Sequence, residues 1–434
     1  MTMTATATAT ILQPEEPHRR LEHLTFKGNL RQTRYGWLRL TPAYSVHLVA
    51  ELLEKHWTDG ARVLDPFCGT GTTALVCAER GIPCDTTDIN RFLQWLARAK
   101  TASYSAKHLS ECREQAAAVG KAMLRANGVA PWTPPIHQIE KWWSESKLAA
   151  LGRGMAAIHR AAETSQAPVV DLLKVAFCRT MIDNANVSFG HQSMSFKKMD
   201  DTPQQLPATD EKDVADSWAQ IVSTIMEGAR STIKETPNVI LCDARDLTKK
   251  LDANQYGCVI TSPPYPNRMS YIRELRPYMY WLGFLKDGRE AGELDWEAIG
   301  GTWGCATSNV AKWTPSTPVE VPFNGFGEIV SNITERSPVL GRYVAKYFHD
   351  MVGHCESLFA VTAPGGTVHY IVGNSKFYDV MLPVEGIYAS MFDAVGFVDV
   401  EIKTIRKRSS KKELFEYVVS ARKLQPKKTN KRQA

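Results

Sequence analysis

Two short stretches of this 434-residue chain carry residue types spaced for chemistry. Ser262-Pro263-Pro264-Tyr265 closes the apolar run 256–261 in a stiff double-proline loop. Proline fixes φ and lacks an N–H, so the loop is rich in acceptors, the Ser262 hydroxyl and the Pro263 carbonyl first among them. Acceptors held rigidly in this way can polarise an amino group, and the Tyr265 ring can stack on a flat ligand. Upstream, Asp65-Pro66-Phe67-Cys68-Gly69-Thr70-Gly71-Thr72-Thr73 closes the apolar run 61–64. Gly69 and Gly71 allow a turn where a ligand can approach the backbone. Asp65, Asp88 and Asp243 each stand where a strand is expected to end. Taken singly each is a turn or capping residue, but three at one sheet edge beside a glycine turn point to a nucleoside-type ligand. No Gly-Lys-Thr or Gly-Lys-Ser follows the loop, which argues against a phosphate-cradling nucleotide site. The run 69–74 ends in Ala74 where the dinucleotide fingerprint prefers a third glycine, so that reading stays open on the loop alone.

These residues need a sheet edge to hold them. Strand 61–64, glycine loop, helix 73–80 and strand 82–87 ending at Asp88 form the first crossover of a doubly wound α/β sheet. Strands 238–241 and 257–261 continue it, and helix 271–285 follows the double proline. Thr41-Pro42 opens a helical pattern that runs to His56, threonine as cap and proline in the first turn. Between them, 91–236 is mostly helical and far too long for an ordinary crossover, so it is an inserted subdomain. Rich in Gly, Pro, Thr and Trp, 286–337 is expected to form loops and short strands. Helix 341–363, strand 367–372, helix 382–394 and a hairpin of 397–405 with 414–421 close the domain. The expected organisation is a disordered tip (1–20), a first half-domain (21–90), the helical insertion (91–236), a second half-domain (237–285), a second insertion (286–337), the domain's remainder (338–424) and a basic tail (425–434).

Composition narrows the class. No apolar run approaches the roughly 20 residues of a membrane span, and 1–10 alternates Thr and Ala without the basic and apolar regions of a signal peptide. Nine cysteines without a CxxC pair argue against a disulfide framework or zinc knuckle and for a reducing, cytoplasmic setting. Pro83-Cys84, the sole Pro-Cys pair, lies inside an expected strand, which makes Cys84 a small apolar strand residue rather than a nucleophile. Residues 403–434 hold twelve basic and two acidic side chains, so the net charge of +6 splits into +10 there and −4 over 1–402. Such a tail suits a polyanionic partner.

Together the two motifs resemble the signature motifs of S-adenosylmethionine-dependent DNA methyltransferases that act on exocyclic amino groups in bacterial restriction–modification systems. The likeness covers 40–90 and 238–285 well and 365–421 more loosely. It implies a doubly wound, Rossmann-like methyltransferase sheet with a terminal antiparallel hairpin and a mainly helical insertion. It implies S-adenosyl-L-methionine as cofactor, with Thr41, Pro42, Asp65, Pro66, Phe67, Gly69, Gly71, Thr72, Thr73, Asp88, Asn90, Asp243 and Ala244 around it. On this resemblance Asp65 holds the methionine amino group, Asp88 the ribose hydroxyls and Asp243 the adenine amino group. Ser262, Pro263, Pro264 and Tyr265 become catalytic: Ser262 and the Pro263 carbonyl accept from the target amino group, and Tyr265 stacks on a base flipped out of the duplex. Adenine enzymes of this family carry Asp or Asn where Ser262 stands, so the serine form implies cytosine N4. Adenine N6, a base in structured RNA and an idle DNA-binding fold are the alternatives. The implied partners are double-stranded DNA and a cognate restriction endonuclease, with no membrane and no metal. The long insertion between Asp88 and Asp243 departs from the family pattern and leaves target reading open between 91–236 and 286–337. In the helix behind the catalytic loop, Tyr271, Arg273, Arg276, Tyr278, Tyr280 and Trp281 either line the base pocket or pack as core.

Overall fold

A computed structural model describes residues 10–12, 25, 28–29, 33–40, 43–124, 131–188, 195–197, 207–267, 270–302, 304–315, 320–408 and 413–425. Its centre is a sheet of eight strands: β1 (Thr10–Leu12), β2 (Arg62–Asp65), β3 (Cys84–Asp88), β4 (Asn238–Leu241), β5 (Tyr256–Thr261), β6 (Thr362–Gly373), β7 (Phe397–Lys407) and β8 (Phe415–Lys423). Their order is β1-β7-β8-β6-β5-β2-β3-β4. The five strands from β4 to β6 are parallel, and β8 is antiparallel to both of its neighbours. Chain direction across the sheet reverses between β2 and β5, the switch point where α/β sheets open a crevice at their carboxyl ends. The fold is therefore a doubly wound, Rossmann-like α/β sheet with a terminal antiparallel hairpin. β1 pairs in parallel with β7 inside the stretch expected to be a disordered tip: three ladder positions on an open strand edge hold 10–12.

Helix α1 (Val46–His56) precedes β2, and α2 (Thr72–Arg80) and α3 (Arg91–Thr101) are the sheet's first crossovers. α1 does not open at Pro42. Residues 43–45 are not helical, and Ser45 is the cap, accepting from the N–H groups of His47 and Leu48. Thr41 and Pro42 themselves lie outside the described residues.

The helical insertion begins after α3. α4 (Ala106–Leu124), α5 (Glu145–Thr164), α6 (Ala167–Asp183) and α7 (Pro207–Ala229) pack on one another around Met123, Trp143, Met155, Phe177 and Trp218. Burying each such side chain contributes about 1.5–3 kcal/mol, so the bundle has a core of its own. Arg34, fully buried, ties this bundle to the sheet. All five of its N–H groups donate to carbonyls, those of Lys100 and Ala102 at the end of α3 and of Gly228, Ala229 and Ser231 at the end of α7. The negative ends of two helices thus share one cation.

α8 (Tyr271–Trp281) leaves the double-proline loop. It is followed by α9 (Gly288–Glu297), α10 (Cys305–Lys312) and α11 (Phe326–Arg336), where loops and short strands were expected. The helices there are short and locally capped: Asp287 accepts from Arg289 and Glu290 to start α9, and Gly325 at φ 81° starts α11. The Gly and Pro that suggested loops are their punctuation. α12 (Pro338–Val361) and α13 (Val384–Val395) cover the other half of the sheet. Among the described residues no helix is long and apolar enough to cross a membrane.

Candidate active site

A cavity of about 590 Å³ opens along the carboxyl edge of the sheet, and both sequence motifs reach it. From the first motif come Pro66, Phe67 and Gly69, from the next strand ends Asp88, Asn90, Asp243 and Ala244, and from the catalytic loop Ser262, Pro263, Pro264 and Tyr265.

Four expected ligand residues do not line it. Asp65 is fully buried beneath the glycine loop. Its carboxylate accepts from the Thr261 hydroxyl at 2.6 Å, the Tyr44 hydroxyl at 2.8 Å and the Phe67 N–H at 3.1 Å. Burial pushes its pKa up, against those three donors. It locks the loop to β5. Gly71, with φ 78°, caps α2, and a Cβ there would come to 3.0 Å from the Ala97 Cβ. Its role is close packing of α2 on α3. Thr72 and Thr73 are buried in the first turn of α2, and Thr73 donates to the Ile260 carbonyl.

Gly69 does face the cavity, with φ 51°, and its N–H donates to Asp88 at 3.0 Å. The other Asp88 oxygen accepts from the Asn90 N–H at 2.8 Å. Desolvation pushes the Asp88 pKa up to about 7, with the two N–H groups pulling the other way. Behind the loop the Lys100 ammonium, nearly fully buried, donates to the Thr70 carbonyl at 3.1 Å, and burial lowers its pKa to about 8. Asp243 is held differently. Burial would raise its pKa, but Arg245 wraps both carboxylate oxygens and the net shift is downward. Arg245 also pairs with Asp350 at 3.1 Å and donates to the Glu297 carbonyl at 2.7 Å. That last bond fastens a strap, 295–301, which walls the cavity with Asp295, Ile299 and Gly300. Gly300 at φ 79° and Gly301, packed against the Asp295 carbonyl, give the strap its shape.

In the catalytic loop, the Ser262 hydroxyl donates its hydrogen to the Ile371 carbonyl at 3.0 Å, so its lone pairs are what it can offer elsewhere. Tyr347 donates to the Pro264 carbonyl at 2.7 Å and stiffens the second proline. The Tyr265 hydroxyl donates to Glu416 at 3.0 Å, and the Arg408 guanidinium carbon lies 5.0 Å from the centre of the Tyr265 ring. Burial pushes the Tyr265 pKa up, so the phenol stays protonated and a donor. The helix behind the loop divides. Tyr271 and Leu275 line the cavity, whereas Tyr278, Tyr280 and Trp281 are buried core, stacked toward the bundle. Arg276 lies over the Trp142 ring. Cys84 sits in β3, outside the cavity, its thiol pKa raised above the ordinary value.

Sequence reasoning missed Tyr44, the strap and the three charged residues of the hairpin, Arg406, Arg408 and Glu416. For Arg406 and Arg408 a signal existed: they open the basic run counted above as tail. Tyr44 and the strap carry no local signal, since their part depends on contacts with residues distant in sequence.

No protein-family model matches the chain. It is similar to the Type II methyltransferase M.BsoBI of Geobacillus stearothermophilus, 20% identical over 449 residues, covering 89% of this chain and 82% of that protein. It is also similar to the Type II methyltransferase M.AvaI of Nostoc sp., 20% identical over 412 residues, with 86% and 81% covered. Among solved structures, the rRNA methyltransferase aviRa from Streptomyces viridochromogenes overlaps 89% of this chain and 87% of its own at 12% identity and a TM-score of 0.28. That score is too low to bear on fold or substrate; the strand order carries the fold.

Proposed function

We propose that this chain is an S-adenosylmethionine-dependent DNA methyltransferase that methylates the exocyclic N4 amino group of a flipped-out cytosine, as the modification partner in a restriction–modification system. One observation carries the reading: the glycine loop, Asp88 and the Ser-Pro-Pro-Tyr loop, separated by up to two hundred residues of sequence, share one cavity wall. The long similarity to two Type II methyltransferases supports it.

The residues fit the cofactor. Each Asp88 oxygen holds one backbone N–H and keeps lone pairs for vicinal hydroxyls. Gly69 puts no side chain in the way, and Phe67 and Leu93 add apolar wall. When bound, S-adenosyl-L-methionine supplies a methyl group activated by its sulfonium. The protein's task is to prepare the other reactant. A cytosine amino nitrogen is a poor nucleophile because its lone pair is delocalised into the ring. With its own hydrogen committed to Ile371, Ser262 accepts one amino hydrogen, and the Pro263 carbonyl accepts the other. Both bonds strengthen as the nitrogen turns pyramidal and gains positive charge, which is the condition for catalysis rather than mere binding. Tyr265 packs on the base and fixes its distance from the cofactor side. With the donor held by Asp88 and the glycine loop, the methyl would pass from sulfur to the amino nitrogen, which would then give up one proton to solvent. Serine in place of Asp or Asn favours cytosine over adenine.

Incubation with unmethylated plasmid and methyl-tritiated cofactor tests the proposal. Label retained on the DNA with the parent protein and lost with Ser262→Ala is the expected result. Unlabelled DNA would sink it.

A further inference from the structure

The cavity wall is polar in charge along the sheet. Four of its acids share one end: Asp88 and Asp243 stand at the ends of β3 and β4, and Asp295 and Glu297 stand on the strap beside them. Among the described lining residues the cations are Arg406 and Arg408, at the far end where β7 leaves the sheet, with one acid, Glu416, beside them. The Ser-Pro-Pro-Tyr loop, after β5, lies between the two ends.

The arginine end is built rather than incidental. β8 pairs Glu416 with Gly373 of β6 and with Arg406 of β7, so the three stand abreast at one edge. A register shift between Thr404 and Arg406 re-aims the chain there, as bulges beside sites do. Arg406 is spent on Glu416 through a 2.7 Å bond. Arg408 is not. Its Nη1 donates to the Asn374 carbonyl at 2.8 Å, its backbone N–H to Leu414, and its plane covers Tyr265. Gly373 makes room for both: a Cβ there would lie 2.3 Å from Arg408 and 3.0 Å from Tyr265. The guanidinium is thus oriented, half-buried and placed against the catalytic ring, with further N–H donors of its planar fork beyond the one given to Asn374. A fork of that kind matches a phosphate.

We propose that Arg408 is a phosphate-binding residue for the nucleotide presented to the Ser-Pro-Pro-Tyr loop. The inference rests on the reading of the cavity as a methyltransferase site and adds to it a second, anionic half. A cationic, nucleoside-containing donor suits the acidic end, and a polyanionic acceptor suits the arginine end, so the charges sort the two ligands before either is in reacting position.

The test is fluorescence anisotropy with a labelled DNA duplex across a salt series, using the full chain with S-adenosylhomocysteine present. Arg408→Gln is expected to weaken binding about five- to tenfold at low salt and to lower the slope of log K against log salt by about one. Lys55→Gln, on the exposed face of α1, is the control and should change neither. Parental affinity and slope in Arg408→Gln overturn the proposal. If that variant does not fold, Arg408→Lys decides: weaker binding with the parental slope supports a forked phosphate contact, and parental affinity overturns it. The two readings fail separately. Arg408-dependent DNA binding without methyl transfer removes the activity and keeps the subsite. Methyl transfer by a protein whose DNA binding ignores Arg408 does the reverse.

Discussion

The two ends of the cavity are held in place in different ways. At the cofactor end the determinants are near in sequence: Asp88 is fixed by Gly69 and Asn90, and Asp243 by Arg245 two residues away. At the catalytic end they are remote. Ser262 leans on Ile371 and Tyr265 on Glu416, 109 and 151 residues off. A locally fixed site keeps its shape whenever its own strand–loop–helix unit is folded. A remotely fixed site is correct only when β6 and, for Tyr265, the terminal hairpin have docked. The glycine-loop end should therefore tolerate changes in the hairpin, and the Ser-Pro-Pro-Tyr end should not.

The sharpest separation comes from Ser262→Ala. It removes one acceptor for the amino group and is expected to cut methyl transfer about 10²–10³-fold while cofactor affinity by calorimetry stays parental. Equal loss of both would merge the two ends. Next is Arg245→Gln, which leaves Asp243 and Asp350 without their shared cation and frees the strap at Glu297. Bonds to charged groups contribute about 1.5–3 kcal/mol, and the low end applies because the pair is about a quarter exposed. A lower melting temperature and weaker cofactor binding should appear together. Glu416→Gln keeps the shape of the side chain but loosens Tyr265 and Arg406. A fall of about tenfold in kcat, near 1.4 kcal/mol, is expected with cofactor affinity unchanged. An unaffected kcat would show that the ring needs no support from the hairpin.

A pH series probes the cofactor end alone. Asp88 keeps its proton up to about pH 7 in the folded protein, whereas an ordinary carboxyl loses it near 4. Folding stability of the free protein should therefore decline as pH rises between those values, because the unfolded chain gives up the proton first. Binding of S-adenosylhomocysteine should rise over the same range, because the carboxylate is the better acceptor for ribose hydroxyls. Asp88→Asn should flatten that binding profile. The smallest effect is expected from deleting 425–434, which should lessen the salt dependence of DNA binding without touching cofactor affinity. An unchanged slope would mean that the tail contacts no phosphate.

The same contrast explains what the sequence could reveal. Strands β2 to β5 and the glycine loop were legible because apolar runs end in Asp, Gly or Pro within a few residues, and each signal is local. The second insertion was misread because its helices are a few turns long and their caps, Asp287 and Gly325, look like loop residues. Asp65 was read as a ligand residue because an acid at a strand end resembles one. That its carboxylate also accepts from Thr261 and Tyr44 depends on contacts up to 196 residues away. Gly71 was read the same way, and only the neighbouring Ala97 shows that helix packing requires it. Arg408 and Glu416 became site residues through pairing of β7, β8 and β6, a register that no local pattern discloses.

The central claim, methyl transfer to a cytosine amino group, meets its most direct test in nucleoside mass spectrometry. Unmethylated plasmid is incubated with the protein and deuterium-methyl S-adenosylmethionine, then digested to nucleosides. Deuterated N4-methylcytosine is the predicted product. Deuterated N6-methyladenine would keep the cavity and its chemistry but contradict the part assigned to Ser262, and unlabelled DNA would contradict the account as a whole.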